Sequence, residues 1–507
     1  MFREKEANVI VSNNISKEKI VESVPQTGFF GQPKGLFTLF FTEFWERFSY
    51  YGMRAILLYY MYTEVTSGGL GIDEEISRSI MAIYGALVYM SGVIGGWIAD
   101  RLLGMQKTIF YGGILIMAGH IVLALPAGQT ALFISMFLIV MGTGLLKPNV
   151  SNVVGAMYSP TDLRRDSGFS IFYMGINLGA FIAPFIVGTL GQEYNYHLGF
   201  GAAAVGMFLG LVIFVITRKK YLGLAGVDIP NPLKDDEKKK ILRWIGLGAV
   251  VISVLLIITS ITGLLNVDRF ILIISILGVV IPTIYFIVMY KSPKTNAEEK
   301  SRLIAYIPLF VAAIMFWAIA EQGSIVLAEY ADKRTQLSLF GFELKSSWFQ
   351  SLNPLFIIIL SPVFAAIWMK MGKRQPSTSQ KFSYGLFFAG ISFLIMTLPS
   401  FIQGGELAHP IWLVLSFLFV VIGELCLSPV GLSATTKLAP AAFSAQTMSL
   451  WFLSNAAAQG INAQIVKLFS FDHEVLYFGA IGASAILLGI ILYLLAPTIQ
   501  KYMKGIR

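Results

Sequence analysis

The sequence is short of charge. Only 13% of its 507 residues are Asp, Glu, Lys or Arg, against 56% hydrophobic. A water-soluble domain carries about 25% charged residues, so half that density cannot cover so long a chain with a hydrated surface. Cysteine is nearly absent: Cys426 stands alone in an apolar run, which excludes an intrachain disulfide and any argument from disulfides for an oxidising compartment. Histidine occurs four times, too scattered to mark a metal site, and there is no His-Glu-x-x-His pair, phosphate-binding loop or Gly-x-Ser-x-Gly elbow. Such missing chemistry argues against an intramembrane enzyme. The start of the chain, before the first apolar run near Gly35, lacks the hydrophobic core of a signal peptide.

What the chain has instead is apolar runs. A helix needs about 20 apolar residues to cross a bilayer. Fourteen runs meet that criterion, at 34–63, 77–103, 107–125, 130–149, 167–191, 197–217, 241–263, 269–290, 302–322, 347–371, 383–402, 410–430, 446–469 and 475–497. The net charge of +9 resides in short loops between them rather than on one nucleic-acid-binding surface. Alternate loops are rich in Lys and Arg, among them Arg164 and Arg165, Arg218 to Lys220, and Lys370 to Arg374. The other set is neutral or acidic, with Lys333 and Arg334 as exceptions. Positive loops face the cytoplasm, which predicts cytoplasmic termini and a multi-pass protein of the cell membrane.

Residues 218–240 and 291–301 are polar and charged, and they bracket a hairpin of two apolar runs. Setting that hairpin aside leaves six helices on each side. The expected organisation is a cytoplasmic tail (1–32), a six-helix bundle (33–220), linkers with a two-helix hairpin (221–300) and a second six-helix bundle (301–507). This all-α architecture resembles the major facilitator superfamily, whose site lies between the halves near the midplane. Gly96, Asp100 and Arg101 resemble that superfamily's G-x-x-x-D-R loop motif.

Charges inside apolar runs are expensive, about 2.5–3.5 kcal/mol each on an insertion scale, and mark function by default. The first run carries Glu43, Glu46, Arg47 and Arg54, and helical steps of three and four put Glu43, Arg47, Tyr50, Tyr51 and Arg54 on one face. Lys147, Glu321 and Glu424 stand alone in other runs and need partners from elsewhere. From the direction of each run, Arg54 and Glu321 share the outer half and Lys147 and Glu424 the inner half. Each pair joins opposite halves, so Arg54–Glu321 is a candidate outer gate and Lys147–Glu424 a candidate inner one. With cations on one half and carboxylates on the other, the cavity suits a zwitterion; service to gates and protons alone is the competing reading.

The run Glu43-Phe44-Trp45-Glu46-Arg47-Phe48-Ser49-Tyr50-Tyr51-Gly52 matches the E-x-x-E-R-F-x-Y-Y-G motif of the proton-dependent oligopeptide transporter family. Phe172 to Gly179 resembles that family's fifth-helix signature, and Gly144 to Asn149, Phe316-Trp317 with Glu321-Gln322, and Gly423-Glu424 with Ser428-Pro429 fall where the family has them. The resemblance spans residues 30–497. It implies symport of di- and tripeptides with protons and no other cofactor. By the same resemblance, Arg47 and Lys147 hold the peptide carboxylate, while Glu424, with Asn177 and Asn353, holds the amino group. Tyr51 and Tyr89 line the site, Trp317 and Trp451 shape side-chain pockets, and Glu43, Glu46 and Glu321 carry protons.

Animal members of the family have a histidine on the second helix; the first here is His120, on the third, so coupling should rest on carboxylates. The loop 403–408 is too short for the extracellular domain of animal members, and the hairpin resembles bacterial ones. The expected partners are peptides, protons and the lipid bilayer, with no nucleic acid, and the expected state is a monomer. Two alternatives stay open: a related carrier of another anionic or zwitterionic metabolite such as nitrate, and a peptide sensor on the same fold.

Overall fold

The computed structural model describes residues 16–159, 162–234, 236–241, 243–244, 246–247, 266–339, 341–403 and 406–506. Its long helices begin with α1 Gly35–Tyr62, α2 Glu74–Ile98, α3 Met105–Leu123, α4 Gly128–Ala156, α5 Arg165–Ala183 and α6 Tyr196–Tyr221. After α7 Val267–Lys291 come α8 Ala297–Ala320, α9 Leu352–Met371, α10 Thr378–Ile395, α11 Ile411–Leu438, α12 Ser444–Ile465 and α13 Glu474–Tyr502. Helices α1–α6 and α8–α13 form two six-helix bundles, and α7 lies in the insert between them. The expected run 241–263 lies almost wholly outside the described residues, as does most of the expected tail before residue 16.

Eleven of the described helices are long and apolar enough to cross a membrane by composition alone. The two that fall short are α1, which carries Glu43, Glu46, Arg47 and Arg54, and α12, which carries Asn455, Gln459 and Asn462. Most of those polar groups face the seam between the bundles.

Local chemistry sets the ends. The Asp73 carboxylate caps α2 by accepting from the amides of Glu75 and Ile76. Asn296 and Glu299 form a reciprocal capping box, so α8 starts at Ala297, ahead of the apolar run expected from residue 302. Ser377 and Gln380 do the same for α10. Helix α5 continues through two widened turns, Pro184–Gly188 and Leu190–Tyr194, and α9 is preceded by a tight turn over Ser346–Ser351.

Both described chain ends lie on one face of the bundle, called here the terminal face; the opposite one is the far face. On the terminal face the linker after α6 straps the loop between α2 and α3. The amides of Asn231 and Leu233 donate to the carbonyls of Asp100 and Arg101 at 3.0 and 3.2 Å, and Arg101 pairs with Glu237 at 3.0 Å. Gly104 has φ +75°, and a Cβ there would stand 2.7 Å from the Val227 carbonyl oxygen. The short helix Lys17–Ser23 docks on the same linker, with the Leu224 amide donating to Ser23 Oγ.

Among the glycines of α2, Gly95 makes the closest approach to a neighbouring helix: a Cβ would meet the Gly144 carbonyl oxygen at 1.8 Å. Gly92 and Gly96 face open space. His120 is fully buried in α3 and lies away from the central cavity.

Candidate functional site

A cavity of about 320 Å³ lies between the two bundles. Twelve of the thirteen residues singled out from the sequence line it: Glu43, Arg47, Tyr51, Arg54, Tyr89, Lys147, Asn177, Trp317, Glu321, Asn353, Glu424 and Trp451. Glu46 is the exception. It is fully buried behind Arg47, whose Nε it meets at 2.6 Å, while Glu43 meets the same nitrogen at 2.7 Å. Arg47 is therefore held between two carboxylates one turn apart, and its Nη2 is buried with no hydrogen-bond partner among the described residues.

Glu321 sits where α8 breaks into a tight turn over Glu321–Ser324. Arg54 Nη2 meets its Oε2 at 2.5 Å, which is the expected outer pair. Three further donors converge on the carboxylate. Tyr89 Oη donates to Oε1 at 3.3 Å, Asn455 Nδ2 to Oε1 at 3.1 Å, and Gln459 Nε2 to Oε2 at 2.8 Å. Gln350 donates to the Gly323 carbonyl at 2.7 Å and fixes the turn that presents Glu321.

Lys147 and Glu424 line the same cavity without forming an ion pair with each other. The Lys147 ammonium stands 4.6 Å from the centre of the Tyr89 ring, just before Pro148, which interrupts the hydrogen bonding of α4. Asn177 Nδ2 bonds its own helix at the Tyr173 carbonyl. Trp451 packs against α11 where Gly431 leaves room for its ring.

The far half of the seam between bundles is closed by a layer of contacts. Arg78 reaches from α2 to Glu329 at 2.7 Å and to the carbonyls of Val466 and Phe469. Tyr62 donates to Asp332 at 2.6 Å, Ser79 to the Ala463 carbonyl at 2.9 Å, and Trp348 to Thr189 at 3.0 Å. Lys333 pairs with Glu74. Toward the terminal face the cavity is open: Tyr173, Leu432 and Phe452 line it and are 44%, 39% and 42% exposed. Arg54 and Glu321 are thus paired, and Lys147 and Glu424 are not, around a cavity open toward the terminal face.

Sequence reasoning missed Asn455, Gln459 and Arg78. The first two had a signal: Trp451, Asn455, Gln459 and Asn462 recur at helical spacing, a polar stripe in a stretch, 444–465, with no charged residue. Arg78 lies near a helix end, where an arginine is unremarkable from sequence.

Residues 106–483 match the family model described as PTR2, POT family. The chain belongs to the POT family. It is 65% identical over 97% of its length, and 99% of the relative's, to an uncharacterized transporter, YclF, of Bacillus subtilis strain 168. It is 50% identical over 94% of its length, and 98% of the relative's, to a di-/tripeptide transporter of Lactococcus lactis subsp. cremoris. Among solved structures, that of a POT peptide transporter in complex with sulfate superposes with a TM-score of 0.95 at 68% identity, covering 97% of this chain and 100% of that one. The sequence motifs of this POT-family chain therefore sit on a POT fold, around one cavity.

Proposed function

We propose that this protein imports di- and tripeptides together with protons by alternating access. The observation that carries the reading is the central cavity. Arg47, Arg54 and Lys147 from one bundle face Glu321 and Glu424 from the other across a space of about 320 Å³. A short peptide is a zwitterion whose two ends match those two walls. In this reading Arg47 and Lys147 take the carboxylate, and Glu424 with Asn177 and Asn353 takes the ammonium. Tyr51, Tyr89, Trp317 and Trp451 enclose the side chains. The likeness to a di-/tripeptide transporter over nearly the whole chain supports the same cargo.

Glu321 is the coupling carboxylate in this reading. While ionised it holds Arg54 and keeps the far face shut; protonation removes the counter-charge and frees the gate. Glu43 and Glu46 are secondary proton carriers beside Arg47. The terminal face is cytoplasmic, the cell membrane is the location, protons are the only coupling species, and the unit is one chain. A nitrate-like anion fits less well, because it has no ammonium for Glu424.

Reconstitution into liposomes tests this. Labelled dialanine should accumulate when an inward proton gradient is applied. In Glu321→Gln, accumulation should be lost while exchange down a peptide gradient continues. Wild-type protein that binds dialanine but accumulates none would make the chain a sensor or a carrier of other cargo.

A further inference from the structure

We propose that Asn455 and Gln459 form an amide pair that holds Glu321 in both of its protonation states, which makes them positioning residues for the proton-coupled step. The inference rests on the transport reading above for its purpose, but not for its geometry.

A carboxylate only accepts hydrogen bonds, whereas a carboxylic acid also carries an O–H that must donate. Glu321 is 9% exposed, so either form needs protein partners. Arg54 can serve only the ionised form, because a guanidinium has no acceptor. A carboxamide has a donor and an acceptor on one planar group, and a half-turn exchanges them. Asn455 and Gln459 at present give their N–H groups to the two Glu321 oxygens, at 3.1 and 2.8 Å. Their carbonyl oxygens, Asn455 Oδ1 and Gln459 Oε1, are buried and have no hydrogen-bond partner among the described residues. Two acceptors are thus held in reserve beside the one acid they would serve.

The amides also travel with Glu321. Arg54 and Tyr89 belong to the first bundle and part from Glu321 when the far face opens. Asn455 and Gln459 belong to α12, which is tied to α8 one turn further along: Gln322 Nε2 donates to Asn462 Oδ1 at 3.1 Å, and Asn462 Nδ2 to the Ala318 carbonyl at 3.0 Å. Tyr477 secures Gln322 from the other side at 2.8 Å. Room for Gln459 in the seam comes from the first bundle, at Gly85, where a Cβ would stand 2.5 Å from Gln459 Nε2.

The step then balances simply. A proton from the far-side solution adds to one Glu321 oxygen and forms O–H. The N–H···O bond at that oxygen gives way, the amide turns, and an O–H···O=C bond takes its place. Arg54 keeps its charge and loses its counter-ion. Release of the proton on the terminal side reverses the sequence. The other charged or titratable groups acting on Glu321 or acted on by it are Tyr50, Tyr51 and Arg54 on α1, Tyr89 on α2, Lys147 on α4 and Glu424 on α11.

The test is an infrared pH titration of the purified full-length protein in lipid, with Glu321→Gln identifying the Glu321 carboxyl band. In Gln459→Met the midpoint should move to higher pH by about one unit, because the bond lost to the charged form is worth more than the bond lost to the acid. The acid's carbonyl stretch should rise, since its O–H loses an acceptor. Gly85→Ala should move the midpoint the same way by displacing the amide, and Asn455→Leu supplies a second reading if Gln459→Met fails to fold. The pH dependence of proton-driven dialanine uptake should shift in parallel. An unmoved midpoint and an unmoved band in the folded variants overturn the proposal, even where uptake falls. If wild type drives no uptake yet the infrared shifts are found, the transport reading fails and the amide pair stands.

Discussion

Replacing Arg78 by methionine should shift the population toward a state open at the far face. The side chain is almost fully buried and spends its hydrogen bonds on the opposite bundle. Nη1 meets Glu329 Oε2 at 2.7 Å, Nε the Val466 carbonyl at 3.1 Å, and Nη2 the Phe469 carbonyl at 3.2 Å. All three partners recede when the far face opens, so the loss falls on the closed state. Removing one partner of a buried ion pair costs about 3–5 kcal/mol. Lys333, 3.7 Å from the same Glu329 carboxylate, offsets part of this, so the lower bound of about 3 kcal/mol applies. That is on the order of a hundredfold in the ratio of the two states. Pulsed dipolar distance measurement between spin labels at Val65→Cys and Phe342→Cys reads it directly. Both sites are exposed, at 71% and 67%, on far-face loops of different bundles, and Cys426→Ser removes the one native thiol. Long distances should dominate in Arg78→Met. Adding Glu329→Met should restore part of the short population, because two apolar groups replace an uncompensated charge. A wild-type distance distribution in Arg78→Met would refute the reasoning.

Two further outcomes follow from packing and from the terminal-face loop. Gly95→Ala should destabilise the first bundle by about 1–3 kcal/mol through overpacking, because its Cβ would stand 1.8 Å from the Gly144 carbonyl oxygen, whereas Gly96→Ala, facing open space, should stay within about 0.5 kcal/mol; thermal unfolding in detergent compares them. Hydrogen bonds from Arg164 hold Asp162 below the ordinary carboxylate range, and Arg164 in turn binds the Gln26 carbonyl at 2.9 Å. A carboxyl depressed by folding contributes above its unfolded value and loses that contribution as pH falls through the folded one. Asp162→Asn at neutral pH should therefore speed hydrogen exchange over residues 24–32, as acid does in the wild type.

Much of this arrangement was legible because lipid makes charge conspicuous. Arg54 and Glu321 each stood out in an apolar run, and the alternation of basic loops placed them at one depth; in the structure they meet at 2.5 Å. Glu46 was legible as a buried charge, but its place behind Arg47 depends on the helix turn and not on its presence in a motif. Lys333 and Arg334, exceptions among the non-basic loops, are neutralised at the far face by Glu74 and Glu474, partners some 140 to 260 residues distant in sequence that no local pattern connects. Helix ends shifted where capping, not hydropathy, decides them: α8 starts in polar sequence because Asn296 and Glu299 cap it. The amides on α12 were hardest to see, since Asn and Gln carry no charge and become informative only once a carboxylate is found opposite them.

The separation between Arg54 and Glu321 bears on biogenesis. They lie 267 residues apart, and ribosomes add about 5–20 residues per second. For tens of seconds, by the same rate, α1 exists with Arg54 already made and its counter-charge not yet synthesised. Glu43 and Arg47 can neutralise one another within the helix, but Arg54 has no such neighbour one turn away. The first helix to emerge is therefore among those least able to partition into lipid alone. Its insertion is provisional until α8 arrives, and the nascent chain depends for that interval on a protein-lined or hydrated shelter at the membrane.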